Sequence, residues 1–276
     1  IDYLKVPTRP FPECWEQFDY GLHNLDKFRL LPHIAQIGVL ALGHPETEAR
    51  FDWPTLERIL SLTHPPYLST HLEARAEYFP EIMEYQHQNH TSVRRALTTH
   101  FNRVIREVKE KLGIVFVLEN LPYYSWWRHF RYGSEPEFIT EICETNDCGF
   151  LLDIAHARCS ASHLNLDLVE YIEALPLHRL REIHLAGVRE RTEGIRDAHT
   201  ALTEEDYQLA EYLLQKTDPE IITIEYGGLP DRIWNVKGEY EPISRNCPRE
   251  LETILIRVGA MIRRGKPIAT LIEPPG

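Results

Sequence analysis

Acidic and histidine side chains recur at matching places in this sequence, directly after short apolar runs or in the loops that follow them. Both side-chain types bind divalent metal ions. The candidate metal ligands are His71, Glu119, Asp153, His156, His184, Asp197, His199 and Glu225. Carboxylates placed close together repel one another unless cations lie between them. If the fold gathers these eight groups, the sequence therefore predicts a metal site.

The apolar runs that precede these residues predict strands of a parallel sheet. They are short and nearly continuous, as expected for strands that are buried on both faces. The strong candidates are residues 114–118, 149–152, 180–183 and 220–224, and the weaker ones are 1–6, 34–42, 67–70 and 268–272. Parallel strands in a barrel end on one common face, where active sites lie. This arrangement would bring the candidate ligands together.

Helical patterns alternate with these strands. Apolar residues at helical spacing between residues 93 and 112, followed by Gly113, predict a long helix. Ser134 with Glu137, and Thr203 with Asp206, predict two helix starts with capping boxes. The alternation has no linker or repeat over 276 residues. It predicts one α/β domain over residues 1–276, a (β/α)8 TIM barrel. The chain opens at Ile1, so the N-terminal strand is expected to be incomplete or atypical.

Composition limits the classes of partner and the compartment. Thirty Lys and Arg residues against 42 Asp and Glu residues give a net charge of −12, which opposes binding to nucleic acid. The sequence has no apolar run long enough to span a membrane, so we expect no membrane partner. Five cysteines without a C-x-x-C pair do not form a disulfide framework, which favours a reducing, cytoplasmic location.

The size of the ligand set bears on the number of ions. Mixed oxygen and nitrogen ligands suit zinc, manganese, iron or cobalt. Four of the groups would be enough for one ion: Glu119, Asp153, His184 and Glu225. The remaining four predict two or three ions. The alternative is that His156 and His199 only orient the ligands of a smaller site.

Three residues are expected to contact the substrate, and three to take part in the reaction. Asn120, beside Glu119, is a candidate hydrogen-bond donor to the substrate. Trp126 and Arg128 lie in an aromatic loop that predicts either a packed cover or a substrate wall. The expected catalytic residues are Glu119, Glu225 and His156, with the two glutamates able to transfer protons.

The motifs around these residues resemble the DUF692 family, the multinuclear non-heme iron-dependent oxidases, within the xylose isomerase-like TIM-barrel superfamily. The similar segments are residues 117–121, 149–156, 182–187, 197–199 and 223–225. The resemblance implies a site of two or three iron ions, held by His71, Glu119, Asp153, His184, Asp197, His199 and Glu225. It also implies O₂-dependent oxidation of a small molecule or peptide, typically at a cysteine of a ribosomally made peptide, and a partner protein that recruits the peptide.

His156 differs from the family pattern, which usually has Asn at this position. The Asp-x-x-His pair formed with Asp153 is instead similar to the sugar isomerase/epimerase and endonuclease IV branches of the superfamily. Two enzymatic alternatives therefore stay open: a divalent-metal isomerase or epimerase, and a metal-dependent phosphodiesterase, which the charge of −12 opposes. A metal-binding barrel without catalytic activity is a third.

Overall fold

A computed structural model describes residues 3–7, 29–34, 42–43, 53–226, 232–234, 240–242 and 247–265. Its strands are β1 (Tyr3–Pro7), β2 (Arg29–Ile34), β3 (Leu68–His71), β4 (Phe116–Glu119), β5 (Gly149–Asp153), β6 (Leu180–Leu185), β7 (Gly187–Arg191), β8 (Gly194–Thr200), β9 (Ile221–Ile224), β10 (Arg232–Trp234) and β11 (Tyr240–Pro242). Its α-helices are α1 (Trp53–Thr63), α2 (Thr91–Leu112), α3 (Pro136–Thr145), α4 (Ile154–Leu164), α5 (Leu168–Ala174), α6 (Glu204–Lys216) and α7 (Cys247–Gly265).

Seven strands form one parallel sheet in the order β1-β2-β3-β4-β5-β6-β9. In a flat sheet, β1 and β6 would lie about 24 Å apart, since neighbouring strands are spaced by about 4.8 Å. Instead, Lys5 Nζ of β1 lies 2.7 Å from Glu182 Oε1 of β6. The sheet therefore curls so that its strands enclose an interior. This confirms the predicted α/β class, and the curled parallel sheet with outer helices is the architecture of a TIM barrel.

The strands of the barrel sheet correspond to predicted ones, except that two weak candidates lie mostly or wholly outside the described part. The sequence did not predict the four short strands β7, β8, β10 and β11. The weak candidate at residues 34–42 overlaps the observed strand Arg29–Ile34 at its first residue, and residues 35–41 lie outside the described part. The candidate at residues 268–272 also lies outside the described part. The N-terminal strand β1 pairs with β2 over five residues.

Alternation along the strands separates an inner layer from an outer one. Leu31, Tyr67, Val117 and Leu151 form a small apolar cluster inside the curled sheet. Residues of opposite parity, such as Leu118 and Leu152, belong to the large core that also contains helix residues. Side chains two positions further along a strand face the same way. Hence Glu119 follows Val117, and Asp153 follows Leu151, into the interior at the carboxyl ends of the strands.

The predicted helix starts met different outcomes. Thr203 and Asp206 form the predicted capping box of α6. The box predicted for Ser134 and Glu137 is wrong, because α3 begins one residue later, with Glu135 as its N-cap and Pro136 in the first turn. The Ser134 hydroxyl instead donates to the carbonyl oxygen of Arg131. In the described part of the chain, none of the helices combines the length and apolar character needed to cross a membrane.

Candidate metal centre

Strand register places the predicted ligands side by side. His71 at the end of β3 is the register partner of Glu119 on β4. Asp153 at the end of β5 is the register partner of His184 on β6, after a shift at Phe150/Leu151. Glu119, Asp153 and His184 are each at most 1% exposed. Residues from three separate strands, far apart along the chain, are thus buried together at the barrel mouth.

Three of these residues form a compact set, which we call the strand group: Glu119, Asp153 and His184. Each offers a ligand atom, and the three atoms lie within 4.8 Å of one another. His184 Nδ1 lies 3.5 Å from Glu119 Oε1 and 3.6 Å from Asp153 Oδ2. Glu225, directly after β9, brings its Oε1 to 3.2 Å from the same nitrogen. The four side chains that the sequence predicted for one ion therefore converge on one point.

The two carboxylate oxygens of Asp153 have different surroundings: one caps a helix and the other faces the site. Its Oδ1 accepts the backbone N–H of His156 at 2.8 Å and so caps α4. Its Oδ2 is buried and accepts no hydrogen bond from any residue that the structure describes. A buried carboxylate oxygen normally has a donor. The Oδ2 atom is therefore suited to bind a cation.

A second set, which we call the hairpin group, consists of His156, Asp197 and His199. Asp197 and His199 lie on β8, which pairs antiparallel with β7 outside the barrel sheet. Asp197 Oδ2 lies 3.1 Å from His199 Nε2 and 3.5 Å from His156 Nε2. The sequence predicted a loop here, and the structure shows one strand of a hairpin. His199 has a φ of 49°, in the left-handed region that non-glycine residues rarely adopt.

The hydrogen bond of His156 determines which of its ring nitrogens faces the site. Nδ1 lies 2.8 Å from the carbonyl oxygen of Asn120, which can only accept a hydrogen bond. Nδ1 therefore carries the proton and Nε2 is available as a ligand. Nε2 also lies 3.9 Å from Asp153 Oδ2, which links the hairpin group to the strand group.

His71 and Glu225 connect the two groups further. His71 Nε2 lies 3.5 Å from Glu119 Oε2, and His71, Glu119 and His156 together could also hold an ion. Glu225 Oε2 lies 3.4 Å from His199 Nε2, while its other oxygen faces His184. All eight predicted ligands are therefore joined by contacts of 3.9 Å or less.

Charges in the cluster shift the pKa values of its members in opposite directions. Burial opposes ionisation of Glu119 and Asp197, but the neighbouring imidazoles outweigh burial and hold the pKa of both carboxyls below their usual range. Burial likewise opposes protonation of His156, but Asp153, Asp197 and Glu119 raise its pKa to about 10.

Two further imidazoles of the cluster, those of His184 and His199, behave in the same way. Despite burial, Asp197 and Glu225 raise the pKa of His199 to about 9, and Glu225 with Glu119 raises the pKa of His184. The raised pKa values favour protonated imidazoles, which offset part of the negative charge of the four carboxylates when no cation is bound. Divalent ions would replace these protons.

A buried network of polar contacts surrounds Nε2 of His184, the ring nitrogen that faces away from the strand group. The sequence analysis did not predict this network. Glu182 Oε1 lies 3.1 Å from His184 Nε2, and Lys5 Nζ lies 2.7 Å from that oxygen and 2.6 Å from the same ring nitrogen. The hydroxyls of Thr223 and Tyr67 also donate to the Glu182 carboxylate, at 2.6 and 3.0 Å. A carboxylate behind a histidine directs the other ring nitrogen toward a metal. The available signal was Glu182 itself, two positions before His184 on one strand.

The three predicted substrate contacts have different surroundings. Asn120 is buried, and its amide exchanges two hydrogen bonds with the backbone of Asp153, at 2.9 and 3.2 Å. Trp126 is partly buried against Tyr124, and its indole N–H has no hydrogen-bond partner among the described residues. Arg128 is exposed and pairs with Glu77 at 3.5 Å. Trp126 and Arg128 both lie on the loop that follows Glu119.

The donor set fits divalent metal ions. Among the described residues, the strand group and the trio His71, Glu119 and His156 each offer three ligand atoms within 4.8 Å of one another, and Glu119 belongs to both. Carboxylate oxygens and imidazole nitrogens together are typical ligands of iron, zinc and manganese. Unlike a solvated acidic patch, the centre of this cluster is fully buried, with Asp153 and His184 at 0% exposure.

Comparison with known proteins identifies relatives of the chain. The family model described as RiPP precursor modification enzyme MbnB/TglH/ChrH matches residues 18–245, and this confirms the predicted resemblance. A UPF0276 protein of Acaryochloris marina is 29% identical over 183 residues, which are 64% of this chain and 63% of that protein. The chain thus spans less than two thirds of that relative's length.

Solved structures show the fold. A D-tagatose 3-epimerase-like protein matches 96% of this chain and 91% of its own, with a TM-score of 0.60 and 16% identity. Endonuclease IV from Thermus thermophilus matches 95% of this chain and 98% of its own, with a TM-score of 0.53 and 13% identity. Both likenesses show the xylose isomerase-like TIM-barrel fold and, at these identities, nothing about the reaction.

Proposed function

Because this chain belongs to the MbnB/TglH/ChrH family of RiPP precursor modification enzymes, we propose that it is a multinuclear iron enzyme that oxidises a peptide with O₂. The observation that carries the proposal is the contact between the strand group and the hairpin group. A single ion needs about four to six ligands, whereas eight candidate ligands lie within linked contacts here.

In this proposal, the strand group and the hairpin group each hold a separate ion. The strand group and Glu225 would hold one ion, and the hairpin group would hold a second. His71, with Glu119, offers ligands for a third. Bound iron would supply open coordination positions for O₂ and a substrate thiolate, together with the capacity to accept electrons.

The chain's own residues have separate tasks around these ions. Glu119, Asp153 and Glu225 balance the positive charge and keep the ions close together. Glu225 and His199 are the more exposed members of the cluster, with side chains 24% and 43% exposed. We therefore propose that Glu225 takes up a proton from the substrate at the mouth. Trp126 would donate its indole N–H to the substrate, and Arg128 would attract an acidic part of a peptide.

Oxygen consumption tests the proposal. The protein is purified without air, its metals are quantified, and the iron-loaded form is mixed with cysteine-containing peptides in an oxygen electrode. The same peptides with serine in place of cysteine are the control. We expect iron in the purified protein and O₂ uptake with the cysteine peptides alone. Iron-loaded protein that takes up no O₂ with any cysteine peptide would contradict the proposed reaction.

An isomerase or epimerase is the second candidate. Glu119 and Glu225 both lie within 3.5 Å of His184 Nδ1, so two carboxylates would flank a single ion in the strand group. Such a pair could remove and return protons on a sugar whose carbonyl is polarised by the ion. Turnover of ketoses by protein loaded with manganese or cobalt would favour this reaction. A phosphodiesterase is less favoured, because the chain carries a net charge of −12.

Partner and location follow from the same proposal. We expect a peptide substrate, presented by a recruiting protein as in the family that the chain resembles. The thiols of Cys143, Cys148 and Cys159 are free and buried. Free thiols are typical of a reducing compartment, which supports a cytoplasmic location.

A further inference from the structure

The hairpin group depends on a part of the chain that is not held by the barrel sheet. Asp197 and His199 lie on β8, whose only strand partner among the described residues is β7. The strand group, in contrast, lies at the ends of strands that are paired on both sides. Asp197 and His199 therefore need other contacts to keep their side chains in the site.

Tyr124 provides the first of these contacts. Its hydroxyl accepts the backbone N–H of Asp197 at 2.8 Å. The same hydroxyl donates to Cys159 Sγ of α4 at 3.4 Å, so the phenol is fixed at its far end. Tyr124 is 3% exposed. A buried hydroxyl with two defined partners can hold the backbone of a metal ligand in place, as pairing with a neighbouring strand does for the strand group.

His163 provides the second contact, to the residue two positions before Asp197. Its Nε2 donates to the carbonyl oxygen of Ile195 at 3.0 Å. Its ring also packs edge-on against Tyr124, with the centroids 5.3 Å apart. At the turn of the hairpin, Gly194 has a φ of 114°, and a Cβ there would lie 2.6 Å from the His163 ring. The hairpin thus packs closely against His163 at Gly194, where both the positive φ and the lack of space require glycine.

We propose that Tyr124 and His163 are positioning residues for the hairpin group and set the affinity of the ion that this group holds. The strand group is held in place by the paired strands of the barrel sheet, so its ion should be independent of them. The inference rests on the proposed function, since it requires that the site hold more than one ion. Both residues act through the backbone of β8, to which their hydrogen bonds are made.

Titration with cobalt tests this inference. Metal-depleted protein is titrated with Co²⁺ under nitrogen, and binding is followed by calorimetry and by the visible absorption of the bound ion. The test variant is Tyr124→Phe, which removes the hydroxyl and keeps the ring against His163. The control is Tyr171→Phe, which also removes one buried hydroxyl, bonded to the Ser134 carbonyl oxygen, at the same 3% exposure.

The expected result is selective. Loss of a group that orients a ligand typically weakens metal binding about 10–100-fold. In Tyr124→Phe, one class of Co²⁺ sites should lose about 10–100-fold in affinity and change its absorption spectrum, while the other class stays as in the wild type. Tyr171→Phe should bind both classes normally. Tyr124→Phe with unchanged affinity for both classes would overturn the inference.

Two further outcomes are distinguishable. Wild-type protein that binds a single Co²⁺ ion would contradict the proposed multinuclear function and with it the inference. If Tyr124→Phe fails to fold, His163→Ala decides the question, because it removes the bond to Ile195 at a partly exposed position. The same selective loss is then expected, and equal affinities in His163→Ala and the wild type would overturn the inference.

Discussion

Glu182→Gln should destabilise the metal-free protein strongly, although the substitution keeps the size of the side chain. The Glu182 carboxylate faces four donors, from Lys5, Tyr67, His184 and Thr223, and it is 0% exposed. An amide offers only one acceptor oxygen and carries no charge. The substitution therefore leaves the Lys5 ammonium, with its side chain 8% exposed, without its counter-charge.

The expected magnitude follows from the burial of both partners. Removing one partner of a buried ion pair costs about 3–5 kcal/mol, because the other charge stays buried and uncompensated. In a chain of this size, each kcal/mol lowers the melting temperature by about 2–4 °C, so the midpoint should fall by about 6–20 °C. Burial alone would raise the pKa of Glu182, but Lys5 and His184 hold it well below its usual range, so the carboxylate is charged at neutral pH.

A double variant separates the charge effect from other causes. Denaturant unfolding of the metal-free wild type, Glu182→Gln, and Lys5→Met combined with Glu182→Gln gives three free energies of unfolding. Removing both charges should recover most of the loss, because the uncompensated ammonium is gone. A single variant within about 1 kcal/mol of the wild type would refute the reasoning about Lys5. So would a double variant no more stable than the single one.

Three further predictions concern the ions and the fold. His199→Ala should remove one bound ion and leave the ion of the strand group, as counted by elemental analysis. The control His178→Ala, at an exposed histidine, should keep the full metal content. The pKa values of His156 (about 10) and His199 (about 9) are raised, so metal binding at neutral pH must displace their protons. The affinity for metal should therefore fall as the pH falls, and calorimetry in two buffers of different ionisation enthalpy should show proton release. Metal binding without proton release would contradict this. Gly113→Ala should cost about 1 kcal/mol in denaturant unfolding, since Gly113 ends α2 at a φ of 60° with open space around it; an unchanged midpoint would argue against this.

The sequence was most informative where one local rule determined the outcome. Carboxyl ends of parallel strands must share a face, so the positions of Glu119, Asp153 and His184 after apolar runs predicted that they would meet. The end of α2 at Gly113 and the capping box of α6 were predicted from local chemistry alone. The capping box at Ser134 was wrong because a short 3₁₀ turn, Arg131–Ser134, precedes α3 and uses the serine hydroxyl.

Contacts between distant segments could not be predicted in the same way. The pairing of Lys5 with Glu182 joins residues 177 positions apart and depends on the curl of the sheet. The hairpin that carries Asp197 and His199 is fixed by Tyr124, 73 positions before Asp197. Neither contact has a local signal, because the first depends on how the sheet curls and the second on how a loop packs against the hairpin at the barrel mouth. The surroundings of Asn120 could not be predicted for the same reason, because its amide is hydrogen-bonded to the backbone of Asp153, 33 positions later.

The central claim, that the linked carboxylates and imidazoles hold several ions, can be tested directly by anomalous scattering. Crystals of protein purified and loaded with iron without air would be measured on both sides of the iron absorption edge. We predict two or three iron peaks, one bounded by Glu119, Asp153 and His184 and another by His156, Asp197 and His199. A single peak, or none among these side chains, would contradict the claim.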